Sequence, residues 1–266
     1  MLWDTHMHTN FSGDSDAAPE LMIHQALKLG LSGICITDHL DYDYPKEPEL
    51  FLLSLDEYAE CLPRLKQKYK SQITIGFGIE IGLQPHLAQI HSQITASNTF
   101  DFVIASSHTA QGMDPYYCEY FSGISQEEAY IKYFSSILEN LSCFSDFDVY
   151  GHLDYVTRYG NPPVPAYTYP SCQKLIDDIL KKLISMEKGL EINTGGFSSA
   201  CRQENPHREI LKRYYELGGR IITAGSDAHS PEEIARNFHR AGKLLQDCGF
   251  KEYCYFAKRS PVFLPL

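Results

Sequence analysis

Short runs rich in β-branched and apolar residues recur along the chain at positions 33–37, 73–81, 101–106, 148–151, 189–193 and 220–224, and another begins at Leu2. Between most of them, apolar residues repeat at helical spacing: 19–29, 125–141, 171–186, 206–217 and 231–248. Pro19-Glu20 suits a first helical turn, and Gly30, Gly218-Gly219 and Gly249 suit helix stops. Strands alternating with helices predict βαβ units and a mainly parallel sheet. About seven units fit in 266 residues, which predicts an α/β fold of the closed or distorted (β/α) barrel type, as one domain over residues 1–266. No internal repeat or flexible linker interrupts the rhythm. Residues 41–57 and the Pro- and Tyr-rich stretch 159–170 read as long βα loops, and long loops in compact domains often carry function.

The apolar runs end in polar residues of metal-binding type. In order these are Asp4-Thr-His6-Met-His8, Thr37-Asp38-His39, Gly78-Ile-Glu80, Ser106-Ser-His108, Gly151-His152-Leu-Asp154, Glu191-Ile-Asn193 and Ser226-Asp227-Ala-His229. Strand C-termini of a β/α barrel open on one face, so these groups are expected to converge. His6 and His8 are two apart, which on a strand puts both imidazoles on one side, as one metal ion requires. Singly, His39, His108 and His152 are equally compatible with hydrogen-bonded rim residues, and Asp38 with a group that fixes a histidine tautomer. Asp227 or Ser226 could equally cap a helix. Glu80 is different: a carboxylate at the end of ITIGFGIEIG is costly to bury unpaired, and a bridge between two metals would explain it. His24, His86, His91, His207 and His239 fall in helical or loop patterns and are expected at the surface. The Tyr-rich stretch 114–121 is expected to pack a loop or line a pocket.

Composition narrows the function classes. Hydrophobic residues make up 43% and charged residues 21%, an ordinary globular balance. Lys and Arg total 23 against 34 Asp and Glu, a formal charge of -11. That sign disfavours nucleic acid and anionic membranes as partners. The N-terminus lacks the basic and apolar regions of a signal peptide, and no run approaches a membrane span, so a cytoplasmic protein is expected. The eight cysteines include no CxxC pair and are expected to be reduced thiols.

The motifs DTHMHT at 4–9, TDH at 37–39, GIEIG at 78–82, SSH at 106–108, GHLD at 151–154 and GSDAH at 225–229 resemble those of the PHP (polymerase and histidinol phosphatase) superfamily, in that family's order and over the whole chain. FSGDSD at 11–16, DYVTRYG at 154–160 and EINTGGF at 191–197 are similar to its histidinol-phosphate phosphatase branch. The resemblance implies a distorted (β/α)7 TIM-like barrel with a trinuclear site for divalent ions (Zn, Mn or Fe). It assigns His6, His8, Glu80 and Asp227 to the first metal. Glu80 bridges to a second, completed by His108 and His152. Asp14, His39 and His229 hold the third. Many relatives carry histidine at position 14, and Asp16 is an alternative ligand. Arg158 and Arg202 resemble phosphate-contacting arginines, suited by their forked donors to a monoester.

The implied reaction is hydrolysis of the small molecule L-histidinol phosphate, a step of histidine biosynthesis, by a hydroxide held between metals. Glu80, Asp227 and His229 would be the catalytic side chains, with Asp227, His229 or a bound water assisting the leaving alkoxide. Asp41, Asp43 and Glu47 could draw in the cationic amine. The alternatives are a related phosphoesterase for another ester or nucleotide, a metal-dependent amidohydrolase or deaminase, which also begins with H-x-H, and a silent scaffold. Three bound divalent ions would bring the formal charge to roughly -5, so part of the acidic excess would be ligand charge turned inward.

Overall fold

The computed structural model describes residues 1–266. Its strands β1 (Trp3–Asp4), β2 (Gly33–Ile36), β3 (His39–Leu40), β4 (Thr74–Gly82), β5 (Phe102–Ser106), β6 (Val149–Tyr150), β7 (Gly189–Asn193) and β8 (Ile222–Gly225) form one parallel sheet in the order β1-β2-β4-β5-β6-β7-β8. β3 continues β2 along the same neighbour: Ile36 is opposite Phe77 and His39 is opposite Glu80, both on β4. Just past β1 the sheet meets its other edge. Thr5 N–H donates to Ala224 O at 3.0 Å, Asp227 N–H to His6 O at 2.9 Å and His8 N–H to Ala228 O at 2.8 Å. The result is the expected distorted barrel with seven strand positions.

The period of two along β4 separates two environments. Ile75, Phe77, Ile79 and Ile81 face outward and join a buried cluster of 61 residues between sheet and helices. Gly76, Gly78 and Glu80 alternate with them and face the lumen. The lumen is so narrow that a Cβ at Gly78 would sit 2.7 Å from Cys35 Sγ. The lumen's lower end is apolar: Cys35, Phe102, Ile104 and Val149 form a small cluster of their own.

The helices are α1 (Pro19–Lys28), α2 (Leu55–Tyr69), α3 (Ala88–Ser97), α4 (Gln126–Cys143), α5 (Pro170–Ser185), α6 (Arg208–Glu216) and α7 (Phe238–Asp247). The five expected helical stretches correspond to α1, α4, α5, α6 and α7. Ser125 and Glu128 close a capping box that starts α4. The pattern at 231–248 predicts one helix, but only its second half is α-helical. Ala235 and Asn237 adopt left-handed backbone (φ 53° and 63°), and Ala235 N–H is tied to Asp4 Oδ2 at 2.8 Å. α2 falls outside the helices that the pattern predicts, and its first turn occupies the end of the 41–57 stretch that reads as a loop. Tyr58, Leu62, Leu65 and Tyr69 bury one helical face, but Pro63 interrupts the signal. α3 also lay outside the expected pattern.

The largest unforeseen element is a C-terminal hairpin, β9 (Glu252–Ala257) and β10 (Ser260–Pro265). It closes the bottom of the barrel. Phe256 stacks on Phe102 with ring centroids 5.1 Å apart, and Tyr255 stacks on Trp3 at 3.6 Å. Its two-residue turn places Lys258 and Arg259 at φ 51° and 63°, where Asn-Gly is favoured. Carboxylates offset that strain: Asp101 Oδ1 accepts Lys258 N–H at 3.1 Å and Asp148 Oδ2 accepts Arg259 Nε–H at 2.6 Å. All eight cysteines are free.

One histidine departs from expectation. His91, on α3, is fully buried against Phe144, and neither ring nitrogen has a hydrogen-bond partner. The helical pattern marks a face, and this residue lies on the inner one. Burial pushes its imidazole down to about 4, although the Asp41 charge pulls the other way.

Two outcomes follow from these contacts. Phe256→Ala should lower unfolding free energy by about 3–5 kcal/mol, as for other buried phenylalanines. A urea midpoint equal to the parent's would show that the hairpin does not seal the core. His91 resists protonation when folded, so the unfolded chain takes up that proton first as pH falls. Its contribution is complete above pH about 6.5 and drains toward pH about 4, on the order of 3 kcal/mol in all. His91→Leu should flatten this part of the stability–pH profile, measured as the difference from the parent. A difference that does not change with pH would refute the assignment.

Candidate metal centre

Strand ends and the segments just past them deliver the polar groups to one rim. β1 runs on into His6 and His8, β3 begins at His39, Glu80 lies on β4, His108 and His152 follow β5 and β6, and Asp227 and His229 follow β8. His6, His8 and Glu80 are fully buried. Asp227 is held at φ 58°, a conformation a non-glycine residue keeps only when its surroundings impose it. Here the N–H bond to His6 O imposes it.

Glu80 is the hub. Its Oε1 accepts from Ser106 Oγ at 2.6 Å and lies 2.9 Å from His152 Nε2 and 3.4 Å from His108 Nε2. Its Oε2 lies 2.9 Å from His39 Nδ1, 3.3 Å from His6 Nε2 and 3.6 Å from His8 Nε2, yet none of these is aligned as a hydrogen bond, although the oxygen is buried. Asp227 Oδ1 is 3.3 Å from His8 Nε2 and 3.7 Å from His6 Nε2, and the two Nε2 atoms are 3.1 Å apart. Ligands about 2.1 Å from a tetrahedral ion are about 3.4 Å from one another. His6, His8 and Glu80 therefore have the spacing of one such site, and Asp227 lies within reach of both imidazoles. Glu80, His108 and His152 form a second group sharing the same carboxylate. In a third, Asp14 Oδ2 is 3.0 Å from His229 Nε2 and 3.6 Å from His39 Nε2. Asp16 is exposed, with no contact to these groups, so the geometry favours Asp14.

The donor nitrogens are aimed by their other ring nitrogen. His6 Nδ1–H donates to Glu191 Oε1 at 2.6 Å, His108 Nδ1–H to Asp41 Oδ1 at 2.7 Å and His229 Nδ1–H to Asp227 O at 2.9 Å. His8 Nδ1 is 3.2 Å from Ser12 Oγ, whose own proton goes to Asp38 at 2.7 Å. Each of these four Nε2 atoms is thereby left with a lone pair facing the cluster. Lone pairs facing each other at 3.1 Å, beside an orphaned buried carboxylate oxygen, fit a cation between them. The all-nitrogen-and-oxygen donor set suits zinc, manganese or iron. Charge follows the same logic. Burial opposes ionisation of Glu80 and Asp227, yet His6 above all holds both carboxyls well below their ordinary range. Burial likewise opposes a charge on His108, but Asp41 and Glu80 push it up to about 10. Protons stored on imidazoles in this way are released when metal binds.

Arg158 borders the cluster. Its Nε–H donates to Asn205 Oδ1 at 2.9 Å, Nη2 to Asn193 Oδ1 at 3.1 Å, and both Nη atoms to Asp227 Oδ2 at 3.2 and 3.3 Å. With Asp14, His39, Tyr44, Phe51, His108, Asp114, His152, Tyr155, Tyr159, Asp227 and His229 it lines a cleft of about 180 Å³. Arg202 is not brought there. The chain turns at Ser199–Arg202, with Arg202 in the left-handed region, and its side chain is exposed outside the cleft lining. The acidic loop also differs from expectation. Asp43 is exposed and pairs with His86, Glu47 is exposed, and Asp41 is buried and turned to His108.

Glu191 is the most consequential residue that sequence reasoning left without a role. Besides orienting His6, its Oε2 accepts His152 N–H at 2.9 Å and Asn193 Nδ2–H at 3.2 Å. Gly225 leaves room for it, since a Cβ there would overlap the Glu191 carboxylate and His6 Cβ. The signal was present in the sequence: a carboxylate at the end of an apolar strand needs a partner, and Glu191 ends such a strand as Glu80 does.

Residues 4–195 match the family described as PHP domain. A histidinol-phosphatase of Lactococcus lactis subsp. lactis is 34% identical over 96% of this chain and 94% of its own, and a probable histidinol-phosphatase of Clostridium acetobutylicum is 34% identical over 97% and 98%. The crystal structure of histidinol phosphate phosphatase from Lactococcus lactis, complexed with zinc, L-histidinol and phosphate, superposes with a TM-score of 0.88 at 32% identity, covering 98% of both chains. A putative histidinol phosphatase from Listeria monocytogenes, at 19% identity, shares the fold with a TM-score of 0.77. The barrel order, the shared Glu80 and these matches have one common explanation: the chain belongs to the PHP domain family.

Proposed function

We propose that the chain is a metal-dependent phosphomonoesterase that hydrolyses L-histidinol phosphate to L-histidinol and phosphate, with residues 1–266 acting as one catalytic unit. The observation that carries this is the convergence of two ligand groups that share Glu80 with the His39–His229–Asp14 group at the rim, where His39 Nδ1 lies 2.9 Å from Glu80 Oε2, beside one buried arginine in a single cleft. Nearly full-length similarity to the Lactococcus lactis histidinol-phosphatase supports the choice of ester. No helix is long and apolar enough to cross a membrane. A cytoplasmic location belongs to the same proposal and rests on the likeness to histidinol-phosphatases.

His6, His8, Glu80 and Asp227 would hold the first ion, Glu80, His108 and His152 the second, and Asp14, His39 and His229 the third. Bound divalent ions lower the pKa of water toward neutrality and neutralise charge on phosphoryl oxygens. The protein supplies the rest. Arg158 is pre-aimed by Asn193 and Asn205, and its guanidinium takes a phosphoryl oxygen beside Asp227 Oδ2. Four of its five N–H groups are engaged in the protein, which fixes its plane before the ester arrives. Asp227, kept ionised by His6, His8 and Arg158, accepts a proton from the attacking water and returns it to the departing alkoxide. His229, with Nε2 beside Asp14 at the exposed rim, completes the charged edge of the cleft.

Purified protein should contain about three divalent ions per chain and release phosphate from L-histidinol phosphate. Metal-replete protein that leaves this ester intact would end the reading. Chelation should abolish turnover and lower the melting temperature, because folded protein would lose the ligand that favours it. Arg158→Ala should reduce kcat/KM by about 100-fold or more, the scale seen when a single transition-state donor is removed. Arg202→Ala should stay within a few-fold of the parent. Equal losses in the two variants would contradict the placement of Arg202 outside the cleft.

A further inference from the structure

The cleft has a second wall that hydrolysis itself does not use. It consists of Tyr44, Phe51, Tyr155 and Tyr159 around Asp114. Three carboxylates line the cleft, and two of them, Asp14 and Asp227, lie within 4 Å of cluster imidazoles. Asp114 does not. It is 2% exposed, and burial pushes its carboxyl above the ordinary range, as expected of a carboxylate that the protein does not pair with a cation. Its partners are neutral: Oδ2 accepts Tyr44 Oη–H at 2.7 Å, and Oδ1 accepts Tyr116 N–H at 2.7 Å and Tyr155 Oη–H at 3.3 Å. A carboxylate offers about four acceptor positions, so capacity remains.

The tyrosines extend this field to the cleft surface. A hydroxyl has one proton, and Tyr44 has given its own to Asp114, so its oxygen presents only lone pairs to a ligand. Tyr155 is committed in the same way and also accepts Tyr159 Oη–H at 3.0 Å. Aromatic faces beside such acceptors favour a cation further. The wall begins next to the reacting centre: the Tyr155 ring is 5.8 Å from His108, and the Arg158 guanidinium carbon is 5.4 Å from the Tyr155 centroid. One end of a small ester can therefore meet Arg158 while the other meets the tyrosine wall.

We propose that Asp114, acting directly and through Tyr44 and Tyr155, recognises the positively charged nitrogen-bearing end of the substrate and so sets a preference for cationic over neutral phosphate monoesters. This rests on the phosphatase reading above and adds which residues decide between esters. It also replaces Asp43 and Glu47, whose exposed positions leave them outside the cleft lining.

The test compares L-histidinol phosphate with phenyl phosphate, an aromatic ester without an amine, on metal-loaded parent, Asp114→Asn and Tyr44→Phe. The ratio of kcat/KM for the two esters is independent of the folded fraction. Asp114→Asn should lower that ratio by about 10- to 100-fold, chiefly through KM for the cationic ester, with phenyl phosphate turnover little changed. Tyr44→Phe should lower it in the same direction by a smaller factor, and it decides the question if Asp114→Asn does not fold. A parallel fall for both esters, or an unchanged ratio in both variants, overturns the role of Asp114 while leaving the phosphatase intact. A parent that hydrolyses phenyl phosphate but not the histidinol ester overturns the ester assignment as well.

Discussion

Six imidazoles and three carboxylates share the upper rim of this barrel, and most of them are out of water. Buried charge of this density is tolerable only when every group is matched by a neighbour of opposite sign or by a cation. Glu80 shows the constraint in its purest form: one oxygen is satisfied by Ser106 and His152, and the other is buried 2.9 Å from His39 Nδ1 without an aligned hydrogen bond. Much else in the molecule serves that arrangement. Glycines leave room for the polar groups: a Cβ at Gly82 would overlap the Asp41 carboxylate, and one at Gly225 would overlap Glu191 and His6. Glu191, Asp41 and the Ser12–Asp38 pair hold imidazoles in one tautomer. Asp4 ties the β1 end to Ser226 and Ala235, which anchors the segment bearing Asp227 and His229.

The lumen is accordingly divided. Its upper half is a charged network whose free energy depends on bound cations. Its lower half is a small apolar plug completed by the C-terminal hairpin. Stability not supplied by the first must come from the second and from the larger cluster between sheet and helices. This division of labour is common where a site is built from groups that repel each other when empty. Arg158 links the two demands, since its bonds to Asn193 and Asn205 join the β7 end to the loop before α6 while its charge faces Asp227.

The cleft is asymmetric in charge. Metal ligands and Arg158 make one side fit for an anion, and the tyrosines around Asp114 make the opposite side fit for a cation. A molecule of acidic net charge can thus hold a phosphate ester through a local reversal of sign, and a zwitterionic ester through both walls at once.

The barrel class and the gathering of metal-binding side-chain types at the strand ends were legible in the sequence because both follow the chain's periodicity, whereas the assignment of those groups to particular metals came from the family resemblance. Alternation of two along a strand puts His6 with His8 and separates Ile79 from Glu80, and the repeated β-to-α rhythm brings strand ends to one face. These are properties of neighbours in the chain, and residue order determines them. What the sequence could not carry were relations between segments far apart. Arg158 and Arg202 look alike as loop arginines, and only the turn at Ser199–Arg202 separates their fates. Asp41, Asp43 and Glu47 read as one acidic loop, whereas the fold turns Asp41 inward and leaves the other two in solvent. The hairpin's place beneath the barrel, the burial of His91 and the isolation of Asp114 among tyrosines likewise depend on contacts across tens to hundreds of residues. Tertiary packing decided them, because burial and charge pairing are set by what surrounds a side chain in space, and no local pattern records that.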